Sequence, residues 1–258
     1  MISQRETGTE SRGPQQYTGD SKLAERMADA SPRLKARIAG VLYALEGTGS
    51  VFGGVYFRNQ FIVPGNAEAT ATAILANESL FRWAFAAALL AVAFHIAYTV
   101  LFYDLFRPVN RSVALLAAFV SLVACALQAS AAIFQIAALL VVEGGNSLSA
   151  FTGEQVQALA LLSLNVNVQA FNIYLIFFGF WLIPTGYLIA RSTFFPRIIG
   201  VLLALDGLGW VLFLSPPLAT SLYPVIATVA ALGELPLLLW LLVVGLNEQR
   251  WKEQARVQ

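Results

Sequence analysis

The sequence carries little charge. Only 12% of its 258 residues are Asp, Glu, Lys or Arg, whereas soluble domains carry about a quarter. In contrast, 58% of the residues are hydrophobic, and the mean hydropathy is +0.68. This composition predicts an integral membrane protein surrounded by membrane lipids. The net charge of +1, without a basic stripe, argues against nucleic acid as a partner.

Cysteine and histidine are almost absent. Cys125 is the single cysteine, which excludes a disulfide within the chain and a multi-cysteine metal site. His95 is the single histidine, so this chain alone cannot hold a bis-histidine haem. The sequence also lacks a P-loop, a nucleophile elbow and a metal-binding cluster. We therefore expect neither a cofactor nor a metal.

Long apolar runs dominate the rest of the chain. A helix needs roughly 20 mostly apolar residues to cross a bilayer. We predict an all-α integral membrane bundle, with a six-helix transmembrane domain at 33–248 and a cytoplasmic tail at 249–258. Residues 1–32 lack the apolar core of a cleavable signal peptide and are expected to form a disordered cytoplasmic tail. The predicted spans are 37–57, 82–105, 112–142, 157–189, 198–214 and 220–246.

Basic residues are concentrated in the loops on one side of the predicted bundle. Ten lie there, against two, Arg58 and Arg82, on the other side. This positive-inside bias predicts a plasma-membrane (cell inner membrane) protein with both termini in the cytoplasm. On the outer side, NAEATATAILANES predicts a short surface helix at about 66–79 with Asn66 as its N-cap. The ten are Arg33, Lys35, Arg37, Arg107, Arg111, Arg191, Arg197, Arg250, Lys252 and Arg256.

Six stretches carry a family resemblance. They are RIAGVLY at 37–43, VPGNAEATATAILANESLFR at 63–82, LFRPVNRSVALL at 105–116, FTGEQVQALALL at 151–162, GYLIARSTFFPRIIGVLLAL at 186–205 and GELPLLLWLLVVGLN at 233–247. As a set, they resemble an uncharacterised bacterial membrane family, domain of unknown function 4386, over roughly residues 33–248. The resemblance implies a multi-pass bacterial membrane protein and implies no established activity.

The first and fifth spans contain similar sequences. Residues 37–52 (RIAGVLYALEGTGSVF) and 197–212 (RIIGVLLALDGLGWVL) share ten of sixteen residues at an offset of 160. Glu46 and Asp206 occupy equivalent positions. Two explanations are open: a chance likeness between apolar helices, or a duplicated helix that crosses the membrane in the same direction. In both, the acid lies about 13–14 Å from the inner edge, near the middle of the hydrocarbon core.

Ionisable side chains on four spans share about the same predicted depth. They are Glu46, His95, Asp206 and Glu234. Because a charge in contact with lipid is costly, we expect all four to face the bundle interior, and they are our candidate catalytic residues. The alternative is that the acids only hold helices together. Pro236 cannot donate to the carbonyl of Leu232, so we expect a local break beside Glu234.

Polar and aromatic residues indicate where a substrate could bind. Gln128 and Asn172 lie nearer the outer face and would line a polar vestibule, unless the third and fourth spans simply emerge into water there. The deeper aromatic residues either pack between helices or line a pocket, where their faces can stabilise a cation. The candidate substrate-binding residues are Gln128, Asn172, Phe94, Tyr98, Trp181 and Trp210.

Three functions fit this pattern. The first is an intramembrane enzyme for a lipophilic small molecule, resembling terpene cyclases or isomerases by analogy only. In it, Glu46 or Asp206 would donate a proton and another carboxyl group would act as base. The second is a proton-coupled transporter of a small solute, and the third is a non-catalytic membrane scaffold. The pattern favours the enzyme and leaves the substrate and the oligomeric state open.

Overall fold

Six membrane-length helical segments form the body of the protein. The computed structural model describes residues 31–145 and 148–256, and these contain six segments long and apolar enough to cross a membrane and no β-strand. The predicted all-α membrane bundle is confirmed. The tail predicted at 1–32 lies, except for its last two residues, outside the described part. The segments are Pro32–Phe61, Glu78–Phe106, Arg111–Glu143, Gly153–Arg191, Arg197–Leu214 and Pro216–Val243.

Nine α-helices are present in the described part. They are α1 (Pro32–Ser50), α2 (Phe57–Phe61), α3 (Ala67–Ala76), α4 (Glu78–Phe106), α5 (Arg111–Glu143), α6 (Gly153–Arg191), α7 (Arg197–Val211), α8 (Pro216–Val243) and α9 (Glu248–Ala255). A π-helical segment, Val51–Tyr56, joins α1 to α2 within the first span, and a 3-10 turn, Leu212–Leu214, extends α7. The spans begin one to five residues before their predicted positions, because the helices continue past the apolar runs.

Side-chain caps set where several helices begin. The surface helix α3 lies within the predicted interval 66–79, and Asn66 Oδ1 accepts a hydrogen bond from the Ala69 backbone N–H at 2.9 Å. α3 stops short of residue 79 because Asn77 is already the N-cap of α4. At the start of α6, Thr152 forms a capping box, in which side chain and backbone exchange hydrogen bonds.

The six spans form a closed ring. Each span packs against the one before it and the one after it in sequence, and α8 returns to pack against α1. α8 therefore lies between the two helices of similar sequence, with α1 on one side and α7 on the other. The contact between α1 and α8 is called the seam, because the first and last spans meet there.

Glycines allow the closest contacts between spans. Where α6 crosses α7, a Cβ on Gly186 would lie 2.5 Å from the carbonyl oxygen of Gly200. Gly179 makes a second such contact, and a Cβ there would lie 2.6 Å from the carbonyl oxygen of Gly207. Gly49 likewise brings α1 against α4. These contacts agree with the general use of small residues where membrane helices approach closely.

Hydrogen bonds close the seam at one end of the bundle. That end carries both termini of the described chain and most of the basic residues, and it is called the basic end. Arg33 Nε donates to the backbone carbonyl of Leu246 at 3.3 Å, just beyond α8. Arg37 Nη2 donates to the carbonyl of Val243 at 2.9 Å. Arg37 thus satisfies a carbonyl that the end of α8 leaves without an intrahelical donor, and Arg33 binds the segment that follows α8.

The short helix α9 lies along the basic end, and no sequence pattern predicted it. Asn247 caps its N-terminus. Trp251 Nε1 donates to the carbonyl of Leu105 at 2.8 Å, and Gln254 accepts from the backbone N–H of Thr193 at 3.0 Å. The segment at 249–258, predicted only as a tail, therefore begins with an ordered helix that contacts the end of α4 and the loop between α6 and α7.

The break predicted at Pro236 is wrong. α8 is helical throughout Pro216–Val243, with Pro224 and Pro236 inside it. A proline removes only one backbone donor, and the hydrogen bonds on either side maintain the helix. α6 also continues through Pro184. Glu234 therefore projects from a continuous helix.

Candidate functional site

Two of the candidate acids line a cavity in the seam, called the lateral cavity. Its volume is about 600 Å³, and Glu46 and Glu234 both lie in its wall. Three other wall residues are exposed and lie within the first and last spans, away from the loops: Val51 (59%), Leu235 (54%) and Tyr56 (45%). The cavity therefore opens sideways, toward the surface that contacts lipid in a membrane. Its walls are Tyr43, Ala44, Glu46, Gly47, Thr48, Val51, Phe52, Tyr56, Glu234, Leu235 and Leu238.

Gly47 and the π-helical segment shape the lateral cavity. A Cβ added to Gly47 would meet no atom within 4 Å in the described part of the chain, so this wall position faces open space. The π-helical segment supplies Val51, Phe52 and Tyr56 to the same wall. Wide helical turns of this type are rare and occur frequently at functional sites. No pattern in the sequence predicted this one.

A series of hydrogen bonds holds Glu46. Gln128 Nε2, on α5, donates to Ser50 Oγ at 2.9 Å, and Ser50 Oγ donates to Glu46 Oε1 at 2.7 Å. Glu46 is only 4% exposed although it lines the cavity. Because Ser50 contacts Oε1, the second carboxyl oxygen is left to carry a proton or to meet a ligand. Gln128 thus positions Glu46 from the third span.

Tyr43 holds Glu234 across the seam. Tyr43 Oη, on α1, donates to Glu234 Oε2, on α8, at 2.8 Å. The Tyr43 ring is buried and meets the ring of Tyr98 edge-on, with centroids 5.3 Å apart. A hydroxyl donor is well suited to a carboxylate acceptor, since hydrogen bonds to ionised groups are stronger than neutral ones.

Asp206 lies behind the wall of the lateral cavity. It is 0% exposed and packs on Gly233, where an added Cβ would lie 3.2 Å from Asp206 Oδ2. Trp210 lies one turn further along α7. Among the described residues, the carboxyl oxygens of Asp206 and the Trp210 Nε1 make no hydrogen bond of ordinary geometry, although Trp210 lies close enough to interact with both Asp206 and Glu234. The acids do not form a metal site: the described residues contain no group of three His, Cys, Asp or Glu that could hold an ion.

A second cavity, the middle chamber, continues from the lateral cavity into the ring. Its volume is about 210 Å³. The two cavities share Glu46, Gly47, Val51 and Glu234, so both acids are accessible from either side. The middle chamber is lined by Glu46, Gly47, Ser50, Val51, Val55, Arg58, Phe171, Asn172, Tyr174, Leu175, Phe178, Trp210, Phe213, Tyr223 and Glu234.

Arg58 brings a positive charge into the middle chamber. Its guanidinium carbon lies 4.7 Å from the centroid of the Phe171 ring. Arg58 Nε and Nη2 are buried and have no hydrogen-bond partner in the part of the chain that the structure describes. From the distribution of charged loop residues, the sequence predicts that Arg58 lies at the outer edge of the membrane. It does not indicate that Arg58 belongs to a functional site.

A third cavity, the end pocket, lies at the end of the bundle opposite the basic end. Its volume is about 500 Å³, and it shares Asn172, Phe213 and Tyr223 with the middle chamber. The three cavities are thus neighbours in a series that runs from the seam to this end. The end pocket is lined by Gln169, Asn172, Ile173, Ile176, Phe213, Leu214, Pro216, Ala219, Thr220 and Tyr223.

His95 lies in an aromatic cluster, outside the cavity walls. Its ring stacks on Tyr98, with 4.6 Å between centroids and 19° between planes. The rings of Tyr174, Phe178 and Trp181 lie 5.5 to 6.5 Å from it. His95 is fully buried, and neither ring nitrogen has a hydrogen-bond partner among the described side chains and backbone. His95 shares the depth of the acids but does not share their cavity.

The predicted substrate-binding residues divide into three groups. Asn172 and Trp210 line the middle chamber. Phe94 is partly buried on α4 and lies outside the walls of the three cavities. The others are buried in helix packing: Gln128, Tyr98 and Trp181.

Sequence reasoning missed Tyr43, Gly47 and Arg58. Tyr43 precedes Glu46 by three residues, a spacing that places both on one helix face and could have revealed it. Arg58 follows the π-helical segment, which rotates the helix face beyond Ser50 relative to a regular α-helix. Its inward position therefore had no signal in the residue spacing.

Comparison with known proteins gives one family. A family model described as "Domain of unknown function (DUF4386)" matches residues 38–245, which include most of all six spans and the walls of the lateral cavity. No curated protein and no solved structure matches the chain. The match covers well over half of the sequence and agrees with the resemblance of the six stretches. This multi-pass membrane protein therefore belongs to the family of the domain of unknown function DUF4386.

Proposed function

We propose that this protein is an intramembrane enzyme that acts on a lipophilic small molecule by general acid–base catalysis. The observation that carries the proposal is the pair Glu46 and Glu234 in the wall of one lateral cavity that opens toward lipid. Its volume of about 600 Å³ suits a small-molecule ligand. A lipophilic substrate would enter from the bilayer without passing through water.

We assign the acid to Glu46 and the base to Glu234. Two carboxyl groups in one apolar cavity repel each other when both are charged, so the proposed scheme uses the state in which only one of them is ionised. The hydroxyl of Tyr43 favours that charge on Glu234. Glu46 has one oxygen outside its hydrogen bond with Ser50, and this oxygen carries the proton. Asp206, behind the wall, transfers no proton to substrate in this scheme.

The pair supports isomerisation of an alkene, and also cyclisation when a second double bond of the substrate attacks the cation and forms the ring bond before a proton is lost. Glu46 donates its proton to one alkene carbon, and the other carbon becomes cationic. Glu234 then removes a proton from a carbon next to the cationic centre, and a new double bond forms. The substrate neither gains nor loses atoms, and the proton returns from Glu234 to Glu46 before the next turnover. The rings of Phe52 and Tyr56, stacked at 5.4 Å in the cavity wall, would stabilise the cation.

The test is an untargeted metabolite comparison between hosts that express wild type, Glu46→Gln or Glu234→Gln. Glutamine keeps the size of the side chain and removes the acid, so both variants should insert normally and lose the product. The matched control is Glu143→Gln, since Glu143 pairs with Arg82 at the far end of the bundle. A wild-type metabolite pattern in both cavity variants, at equal protein levels in the membrane, would sink the proposal.

The series of cavities favours a second function, proton-coupled transport. The lateral cavity, middle chamber and end pocket share wall residues, as the parts of a solute path would. Titratable groups at mid-membrane depth are common on such paths. A transporter reconstituted in proteoliposomes would take up the affected metabolite when a pH gradient is applied. An uptake rate that does not depend on the pH gradient would exclude proton-coupled transport.

The proposed orientation places the basic end in the cytoplasm of the cell and the protein in its plasma membrane. The support is the ten-to-two distribution of basic residues between the two sides. The end pocket and Arg58 then lie toward the outer face. A substrate from the outer leaflet would reach the acids from that side.

A further inference from the structure

We propose that the substrate is an anionic amphiphile whose acidic head group binds Arg58 while its apolar part reaches Glu46. The inference rests on the proposed function and names the substrate class for the same site. It starts from the one cationic side chain that the middle chamber contains among the described residues.

Arg58 is built to receive an anion. Two of its nitrogens are buried and have no hydrogen-bond partner in the described residues. The guanidinium carbon lies over the Phe171 ring, 4.7 Å from its centroid, a contact that stabilises the positive charge without using an N–H donor. A planar guanidinium matches a carboxylate or phosphate in two parallel hydrogen bonds. Asn172 and Tyr223 in the same chamber offer further neutral donors.

The distribution of charge gives the ligand a direction. Arg58 and the two acids Glu46 and Glu234 line one continuous chamber. Arg58 follows Glu46 by twelve residues, roughly 18 Å along the first span. An acidic head group is attracted to Arg58 and repelled by the carboxyl pair, so the apolar part must lie at the acids. A cationic head group would be oriented the other way, with its charge at the reacting position.

The depth of Arg58 suits a lipid-like molecule. Arg58 lies three residues before the end of the first span, Pro32–Phe61, where head groups meet the hydrocarbon core. The lateral cavity opens toward lipid from the same helix. An amphiphile could therefore enter the cavity laterally from one leaflet of the bilayer. Its head group would remain at the same depth in the membrane, which is the depth of Arg58.

The test measures binding and needs no turnover. Purified full-length protein in phosphatidylcholine nanodiscs is titrated with radiolabelled palmitate, with methyl palmitate, hexadecyl phosphate and inorganic phosphate as competitors. Palmitate and hexadecyl phosphate should compete, and methyl palmitate should not. Arg58→Gln should weaken palmitate binding roughly tenfold to a hundredfold, the effect of losing a hydrogen bond to a charged group. Arg58→Lys should retain part of the affinity, and Arg82→Gln, at the same end but outside the chamber, should retain all of it.

Three results would overturn the inference. They are equal palmitate affinity in wild type and Arg58→Gln, competition by methyl palmitate as strong as by palmitate, and displacement of palmitate by inorganic phosphate at similar concentrations. The last would assign the site to a free anion. The comparison of palmitate with its ester uses wild type, so it holds even if Arg58→Gln fails to fold. Failure of the proposed function is distinguishable: Glu46→Gln would then keep the wild-type metabolite pattern while palmitate binding still depended on Arg58.

Discussion

The lateral cavity can be filled from its own wall. Gly47→Leu adds a side chain at a position where a Cβ has no neighbour within 4 Å in the described structure. Glycine in a helix interior costs about 1 kcal/mol relative to alanine or leucine, so the variant should fold at least as stably as wild type. The new side chain would occupy space beside Glu46 that a substrate needs.

The expected loss of activity follows from the cost of overpacking. Extra methylene groups in a filled site cost roughly 1–3 kcal/mol. If substrate must compete with the leucine for the cavity of about 600 Å³, kcat/KM should fall by roughly fivefold to a hundredfold. Gly47→Ala adds one methyl group to the same wall, and its activity should stay close to wild type.

The equivalent glycine of the fifth span is the matched control. Gly207 follows Gly47 by the same offset of 160 residues, but a Cβ there would lie 2.7 Å from the carbonyl oxygen of Gly179. Gly207→Ala should therefore lower the free energy of unfolding by roughly 1–3 kcal/mol, whereas Gly47→Ala should not. Thermal unfolding in detergent, followed by tryptophan fluorescence, measures stability, and the metabolite comparison measures activity. A stable Gly47→Leu protein with undiminished product would refute the cavity as the substrate site.

Three further predictions test other parts of the fold and site. Tyr43→Phe removes the hydroxyl that donates to Glu234 at 2.8 Å and should lower turnover about tenfold to a hundredfold, while thermal unfolding is little changed; wild-type turnover would contradict the assigned base. Gly186→Ala places a Cβ 2.5 Å from the carbonyl oxygen of Gly200 and should lower the melting temperature, whereas Gly209→Ala, whose nearest contact is an ordinary 3.5 Å, should leave it unchanged; equal melting temperatures would contradict the close α6–α7 contact. Green fluorescent protein fused to either terminus should fluoresce and alkaline phosphatase fused there should be inactive, and an active phosphatase at either terminus would reverse the orientation.

The number and type of the spans could be predicted because the bilayer leaves few alternatives. Backbone groups in lipid must be satisfied within the segment, so a long apolar run becomes a helix. The same local logic identified Asn66 as a cap, since its side chain needs only the N–H three residues later. Features that depend on one segment alone could thus be predicted from the sequence.

The cavity could be predicted only in part, because depth does not determine direction. Counting residues placed Glu46, Glu234 and His95 at one level, yet His95 faces the aromatic cluster and the acids face the seam. The rotation of each helix is set by its neighbours in the ring. Gly47 and Gly207 show this most directly: they occupy equivalent positions in similar sequences, and one faces a cavity while the other packs against a backbone.

Local irregularity limited the prediction further. The π-helical segment Val51–Tyr56 changes the direction of every side chain that follows it in the first span, so the inward position of Arg58 could not be extrapolated from Glu46. Pro236 shows the opposite case. A residue that commonly breaks helices leaves α8 continuous, because it removes only one backbone donor and the hydrogen bonds on either side maintain the helix.

The seam joins the two ends of the chain, and this determines when the site can form during synthesis. Tyr43 and Glu234 are 191 residues apart, and Arg37 and Val243 are 206 apart. Because a nascent chain emerges from its N-terminus, α1 enters the membrane long before its partner α8 exists. The cavity around Glu46 therefore lacks one wall until the last span has been inserted. A chain that ends before α8 would contain five spans and two of the three acids, and it would have no lateral cavity.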